Sequence, residues 1–214
     1  LYFCYVDLYF FDVKQYHNDS QTVVDKWNVR ELVEYERYCR DNLRFDDMKE
    51  CYSDESRVRL SWYDGDGKAF VERSRSTGVG AKHKIFNAFV WLNGDRGISE
   101  LSAMLQGPKQ LFDGIECNHT SYARLLYRVE KEDSGWKIKG FDCIYERDTL
   151  IPVIPTKNFE IDPSKINKYR ESYKCLSYAL ELQGLPCNQE LPGEDRLETI
   201  TALYEEVSLW LFAE

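Results

Sequence analysis

Long strand-like segments follow one another from residue 82 onward in this 214-residue chain. They are rich in β-branched and aromatic side chains and are separated by turn-forming residues. They comprise residues 82–92, 97–106, 119–130 and 136–145. Because the helical patterns come before these strands and do not alternate with them, the order predicts an α+β fold with a largely antiparallel sheet.

The first eighty residues carry helical patterns. Apolar residues at helical spacing predict an amphipathic helix over residues 23–40. Residues 45–52 predict a short second helix and residues 68–77 a third, while residues 57–62 alternate like a strand between them. Helices of this kind can bury their apolar stripes on one face of the following sheet.

A different unit follows the proline-rich stretch between positions 152 and 163. Two helices are predicted there, over residues 163–182 and 194–212. About sixty residues form only a marginal core alone, so we expect this unit to pack on the main domain, over the sheet's outer face or against a neighbouring subunit. The predicted division is an N-terminal segment 1–22, a main domain 23–150 and a C-terminal helical extension 151–214.

The composition argues against several kinds of protein. The net charge is −9 at pH 7 with no basic stripe, so we do not expect nucleic-acid binding. Seven scattered cysteines without a C-x-x-C pair predict neither a disulfide framework nor a metal site, and they favour the cytoplasm. The aromatic-rich residues 1–11 are too short to span a bilayer, so we expect no association with a membrane.

His83 is the residue whose chemistry is most informative. It opens an apolar run, and it follows a predicted helix that ends at Asp41. Imidazole titrates near neutrality, and a carboxylate bonded to one ring nitrogen raises the basicity of the other. The pairing suggests a proton-transfer site in a pocket. A satisfied core or edge histidine is the alternative interpretation.

Simple alternation divides the strand that contains His83 into two faces. One face would carry His83, Ile85, Asn87, Phe89 and Trp91. Two polar groups among large aromatics are typical of an apolar ligand pocket, so we expect Asn87 and Phe89 to contact a ligand. For Asn87 the alternative is a buried amide satisfied by backbone.

A set of short motifs, taken in order, resembles one known family. They are residues 36–41 (ERYCRD), 45–48 (FDDM), 51–54 (CYSD), His83 with Asn87, 93–96 (NGDR), 121–124 (SYAR) and 135–138 (GWKI). Over residues 24–148 the chain resembles the SnoaL-like branch of the nuclear transport factor 2-like superfamily. The resemblance implies a cone-shaped α+β fold, in which a curved antiparallel sheet and N-terminal helices enclose a deep pocket.

The resemblance also implies a catalytic pair. In dehydratase-like members, an aspartate at the end of the first helix partners a histidine at the start of the strand after the third helix. These two positions match Asp41 and His83. The implied chemistry is removal of an acidic proton by His83, with Asp41 orienting the ring.

Three further pocket residues are implied at matching positions, namely Tyr38, Trp62 and Gln106. Tyr122 is a candidate because it lies in a predicted strand that can face the pocket, and the opposite face of the sheet is the alternative. Three departures from the family pattern stand out: Trp62 and Arg40 replace tyrosines, and Gln106 or Met104 replaces a second histidine. These departures argue against the particular reactions of scytalone dehydratase or bile-acid 7α-dehydratase.

Two hypotheses about function follow. The first is a cofactor-independent lyase or isomerase, dehydratase-like, that acts on a hydrophobic polycyclic or aromatic small molecule. The second is a non-catalytic module of the same fold that binds a small molecule or mediates oligomerisation. In either case we expect no cofactor and no metal, and a homo-oligomer, either a dimer or a trimer.

Overall fold

The computed structural model describes residues 19–77, 80–112, 114–155 and 159–213. Residues 1–18, most of the predicted N-terminal segment, lie outside the described residues. The helices are α1 (Ser20–Asp41), α2 (Phe45–Glu50), α3 (Gly67–Thr77), α4 (Pro163–Ile166), α5 (Lys174–Leu182) and α6 (Leu197–Leu211). The strands are β1 (Tyr52–Leu60), β2 (Tyr63–Asp66), β3 (Lys82–Asn93), β4 (Arg96–Gln106), β5 (Gln110–Phe112), β6 (Ile115–Glu132) and β7 (Gly135–Pro152).

The strands form one sheet with the order β2-β1-β7-β6-β4-β3, and β5 pairs with β6 at its edge. Neighbouring strands β3, β4, β6 and β7 are antiparallel, as the turn-separated segments predicted. Strand β1 is different because it runs parallel to β7. A parallel pair needs a long connection, and here residues 61–134 lie between the two strands. The curved sheet with its helices confirms the predicted α+β class.

The inner face of the sheet packs on the first three helices. In α1, Val29 and Val33 are fully buried at helical spacing, which is the apolar stripe that the sequence predicted. They join Phe70 of α3 and Tyr127 and Phe141 of the sheet in the main hydrophobic core. This packing sets the end of α1 against the start of β3.

A buried ion pair also holds α1 on the sheet. Glu36 is 0% exposed and is bonded to the guanidinium of its neighbour Arg37. The Tyr52 hydroxyl donates to Glu36 Oε1 at 2.8 Å, and the Tyr127 hydroxyl donates to Oε2 at 3.2 Å. Arg37 Cζ lies 4.7 Å from the centre of the Phe141 ring. Both charges are therefore compensated inside the core.

The outer face of the sheet is covered by α6. Ile98, Leu126 and Ile144 point outward from three adjacent strands and pack on the apolar stripe of this helix. Glu206 of α6 receives hydrogen bonds of 2.9 Å from both terminal nitrogens of Arg59. Arg128 donates a further bond of 2.8 Å to Glu206. Helix α6 of the C-terminal extension therefore lies on the outer face of the sheet.

The first helix predicted in the extension is interrupted. The prediction ran from residue 163 to 182, but α4 ends at Ile166 and α5 begins at Lys174, after a short 3₁₀ turn over Glu171–Tyr173. Arg170 in the break has extended backbone, with ψ at 133°. Its guanidinium bonds to Asp195 at 2.6 and 2.7 Å, and its backbone N–H bonds to Gln189. These distant contacts outweigh the local helical propensity.

Strand β3 contains a β-bulge that corrects the predicted faces. Its pairing with β4 shifts register between Ile85 and Asn87. Because one extra residue reverses the alternation, Ile85 and Val90 both face the main core. Phe89 is 55% exposed on the other face. The predicted set of inward-facing residues is therefore wrong beyond Ile85.

Candidate functional site

Asp41 and His83 meet where α1 ends and β3 begins. Helix α1 ends at Asp41 because Asn42 leaves the helical conformation, with φ −112° and ψ 16°, and Leu43 has a positive φ of 62°. Asp41 Oδ1 lies 2.8 Å from His83 Nδ1, and Oδ2 accepts the backbone N–H of His83 at 2.5 Å. An ionised carboxylate only accepts, so Nδ1 carries the proton. Nε2 then holds the free lone pair.

The pair is poised as a carboxylate and a neutral imidazole. Burial lowers the pKa of His83 most strongly; the hydrogen bond that His83 donates to Asp41 raises it, and the charges of Arg37 and Arg40 lower it further, to about 4. Burial by itself would raise the pKa of Asp41, but the hydrogen bonds from His83 and the charge of Arg37 hold it below its usual range. At neutral pH His83 is therefore a proton acceptor.

We expect this low pKa to be visible in the stability of the protein. An unfolded histidine titrates near pH 6.5, so between about pH 6.5 and 4 the unfolded chain binds a proton that folded His83 does not. The free energy of unfolding should therefore fall as the pH falls through this window. Urea denaturation across the window measures it, and His83→Gln should flatten the dependence. An equally steep dependence in that variant would contradict the assignment.

A cavity of about 240 Å³ lies between the inner face of the sheet and the helices. His83 contributes to its wall, whereas Asp41 stays behind the histidine. Most of the wall is apolar. Its large apolar members are Leu60, Trp62, Leu105, Leu125, Phe141, Leu176, Leu180 and Leu185. The composition is that of a site for a hydrophobic small molecule with a few polar contacts.

Helix α5 of the extension forms part of the cavity wall through Leu176, Ala179 and Leu180. The carboxylate of Asp148, near the end of β7, accepts the backbone N–H groups of Cys175 and Leu176 at 3.1 and 2.6 Å. A carboxylate at a helix N-terminus satisfies two otherwise unpaired donors. The C-terminal extension is therefore part of the site, and the sequence analysis did not anticipate this.

His119 on β6 lines the same cavity. Its Nε2 is buried without a hydrogen-bond partner among the described residues, and the nearest carboxylate oxygen, Asp148 Oδ2, is 3.6 Å away. By strand spacing, the Cα atoms of His83 and His119 are roughly 12 Å apart, two strands and two residues along the sheet. Strand periodicity is the sequence signal for His119, because residues two apart share one face of a strand. His119 and Ser121 both face the cavity.

Arg37 and Arg40 bring two guanidinium groups to the cavity beside His83. Arg37 is paired with Glu36. The Arg40 side chain is only 11% exposed, and burial lowers its pKa to about 10, with a further decrease from the charge of Arg37. The sequence motifs identified Arg40 only as a departure from the family pattern and predicted no role for it in the site. Its spacing of three residues from Arg37 places both on the buried side of α1.

Comparisons with known proteins agree on the architecture. No family model matches the chain. An uncharacterized protein from Emericella nidulans is 29% identical over 186 residues, with 81% of this chain and 78% of that protein covered. The structure of a hexachlorocyclohexane dehydrochlorinase, LinA type 2, gives a TM-score of 0.56 at 12% identity and covers 67% of this chain and 100% of that one. A scytalone dehydratase-like protein from Novosphingobium aromaticivorans gives 0.52 at 13% identity, covering 64% and 97%.

The chain has the nuclear transport factor 2-like fold. This confirms the fold that the ordered motifs implied. Within the nuclear transport factor 2-like fold, the cavity between sheet and helices is the enclosed pocket that the resemblance led us to expect. The shared fold does not by itself assign an activity.

Two of the predicted pocket residues, His83 and Trp62, line the cavity. Tyr38 does not line it. Tyr38 is 53% exposed and borders a second, more open pocket, which Asp41, Lys82 and His83 also line. His83 therefore lies between this second pocket and the apolar cavity.

Four other predicted pocket residues lie away from the cavity and correct the prediction. Asn87 and Phe89 are exposed because the bulge in β3 reverses their direction. Gln106 alternates with Leu105, which faces inward, and Tyr122 alternates with the inward-facing Ser121 and Ala123. Tyr122 lies instead under the guanidinium of Arg147, 5.2 Å from ring centre to Cζ.

Among the residues that the structure describes, no group of three His, Cys, Asp or Glu side chains is arranged to hold a metal ion. No helix in the described ranges is long and apolar enough to cross a membrane.

Proposed function

We propose that this chain is a cofactor-independent lyase or isomerase that moves a proton on a hydrophobic small molecule. The observation that carries the proposal is the state of His83. Its Nδ1 is held by Asp41 at 2.8 Å, it lines an apolar cavity, and its pKa is low enough to keep the ring neutral. A neutral imidazole with an oriented, free Nε2 is the arrangement that general-base catalysis requires.

The proposed step is proton abstraction from a carbon next to a carbonyl group or a leaving group. Nε2 takes the proton, and the electron pair of the broken C–H bond forms a new double bond. In an elimination the leaving group departs with its own electron pair. In an isomerisation the imidazolium returns the proton at another carbon. The Asp41 carboxylate stabilises the imidazolium in both cases. Because the pKa of His83 is low, the imidazolium releases its proton readily.

The fold comparison supports an elimination by analogy. The names of the two structural neighbours denote loss of hydrogen chloride and loss of water. Both reactions remove a proton and a leaving group from neighbouring atoms of a small molecule. The mostly apolar cavity of about 240 Å³ supports a polycyclic or aromatic substrate.

A substrate screen tests the proposal. Hydroxylated steroids and polyketides would be incubated with the wild-type protein and with His83→Ala, and dehydrated or isomerised products would be detected by mass spectrometry and ultraviolet absorbance. We expect turnover by the wild type that is lost in the variant. Turnover that survives the substitution would reject His83 as the base. Tight binding without turnover would favour the non-catalytic module.

A further inference from the structure

We propose that Arg40 binds an acidic oxygen of the ligand, so that the substrates of this cavity are hydrophobic molecules that carry a carboxylate or phenolate beside the carbon that reacts. This names the substrate class for the site proposed above, and it rests on that site accepting a small molecule.

Arg40 has a buried donor without an acceptor. Its Nη1 has no hydrogen-bond partner among the described residues, and the Arg40 side chain, which is 11% exposed, borders the cavity. Asp41 Oδ1 is 3.7 Å from Nη1, beyond hydrogen-bond distance, and it already accepts from His83 Nδ1. Leaving a buried, charged donor unpaired is costly, so such groups in native proteins have partners.

No carboxylate among the described residues around Arg40 supplies that acceptor. Both oxygens of Glu36 accept two hydrogen bonds each, from Arg37, Tyr52 and Tyr127. Asp41 accepts from His83 through both oxygens, and its Oδ1 lies 3.7 Å from Arg40 Nη1, too far for a hydrogen bond. Lys82, the nearest cation on β3, donates to the backbone carbonyl of Asp41 and adds positive charge. The acceptor for Arg40 is therefore expected to come from the ligand.

The charge at His83 favours an anionic acceptor over a neutral one. Arg37 and Arg40 both lower the pKa of the ring, which means that their positive charge is felt inside the cavity. A guanidinium also binds a planar carboxylate through two parallel hydrogen bonds. A bound anion would offset the charge of Arg40 and make His83 a stronger base where the proton is taken.

The apolar wall of the cavity favours a ligand whose remaining part is hydrophobic. Trp62 and Phe141 are aromatic walls of the cavity, and Leu176 and Leu180 of α5 add aliphatic surface. A fused aromatic acid combines both requirements. Matched probes are therefore 2-naphthoate, with a carboxylate, and 2-naphthamide, which has nearly the same shape without the charge.

The experiment measures the dissociation constants of both probes by calorimetry. We expect the wild type to bind 2-naphthoate at least tenfold more tightly than 2-naphthamide, and Arg40→Gln to abolish this preference while amide binding changes less than threefold. The matched control is Arg30→Gln, on the same helix α1 but 45% exposed and paired with Glu34 outside the cavity. It should retain the wild-type preference.

A second measurement needs no variant. Saturation with 2-naphthoate, but not 2-naphthamide, should raise the pH at which the His83 ring signals titrate in the NMR spectrum of the wild type. Equal affinity for the two probes, a preference that persists in Arg40→Gln, or no naphthoate binding at millimolar concentration would each overturn the proposal.

The test of the anion site can fail or succeed independently of the test of the proposed enzyme activity. A preference for 2-naphthoate together with no turnover of any compound would leave the anion site standing and reject the enzyme. Turnover of neutral substrates without a preference for 2-naphthoate would support the enzyme and reject the anion site.

Discussion

Replacing His83 with glutamine is expected to lower kcat/KM on a substrate identified by screening about 10²- to 10⁴-fold, the usual contribution of a positioned general base. Glutamine can still donate to Asp41, so the α1–β3 junction is retained, but an amide cannot accept a proton near neutral pH. The loss should appear mainly in kcat, because the step that is removed is chemical and not binding. Steady-state kinetics of the purified variant measures it.

The matched control for this prediction is Asn87→Ala. Asn87 is on the same strand, four residues further along, but it is exposed on the face that points away from the cavity. We expect its kcat/KM to stay within twofold of the wild type. A variant at His83 that keeps more than a tenth of the wild-type kcat would show that another group takes the proton.

Replacing Glu36 with alanine is expected to lower the free energy of unfolding by about 3–5 kcal/mol. The carboxylate is 0% exposed, and its removal leaves the buried guanidinium of Arg37 without a counter-charge. The hydroxyls of Tyr52 and Tyr127 lose their acceptor as well. Urea denaturation followed by circular dichroism measures the change.

Glu34→Ala provides the comparison on the same helix. Glu34 is 39% exposed and forms an i,i+4 pair with Arg30, so its loss should cost less than about 1 kcal/mol. The double variant Glu36→Gln with Arg37→Met should recover much of the stability, because neither buried charge remains. A small effect of Glu36→Ala would show that Arg37 finds another acceptor or reaches solvent.

The order of helices and strands could be predicted because it depends on local sequence patterns. The stripe of Val29 and Val33 recurs at helical spacing, and turn residues separate the long strands. The pairing of Asp41 with His83 could also be predicted from the sequence, because Asp41 lies at the end of a predicted helix and His83 at the start of a predicted strand. The motifs that resemble the nuclear transport factor 2-like superfamily placed these two positions in order, and the fold is confirmed. Their catalytic role stays a prediction.

The errors arose where one residue changes the direction of a side chain. The bulge after Ile85 turns Asn87 and Phe89 outward, and no local pattern announces it. Gln106 was assigned by motif position and Tyr122 by its place in a strand with two possible faces. In both strands the neighbouring residues line the cavity instead.

The sequence by itself determined the α+β class, most of the helices and strands and the candidate pair Asp41–His83, because periodicity, turns and helix ends are properties of short segments. Only the tertiary structure decided what surrounds that pair. Arg40 without an acceptor, His119 two strands away and α5 as a cavity wall are brought together by contacts between distant parts of the chain. Side-chain burial and charge compensation depend on these contacts, and so does the expected preference for an acidic ligand.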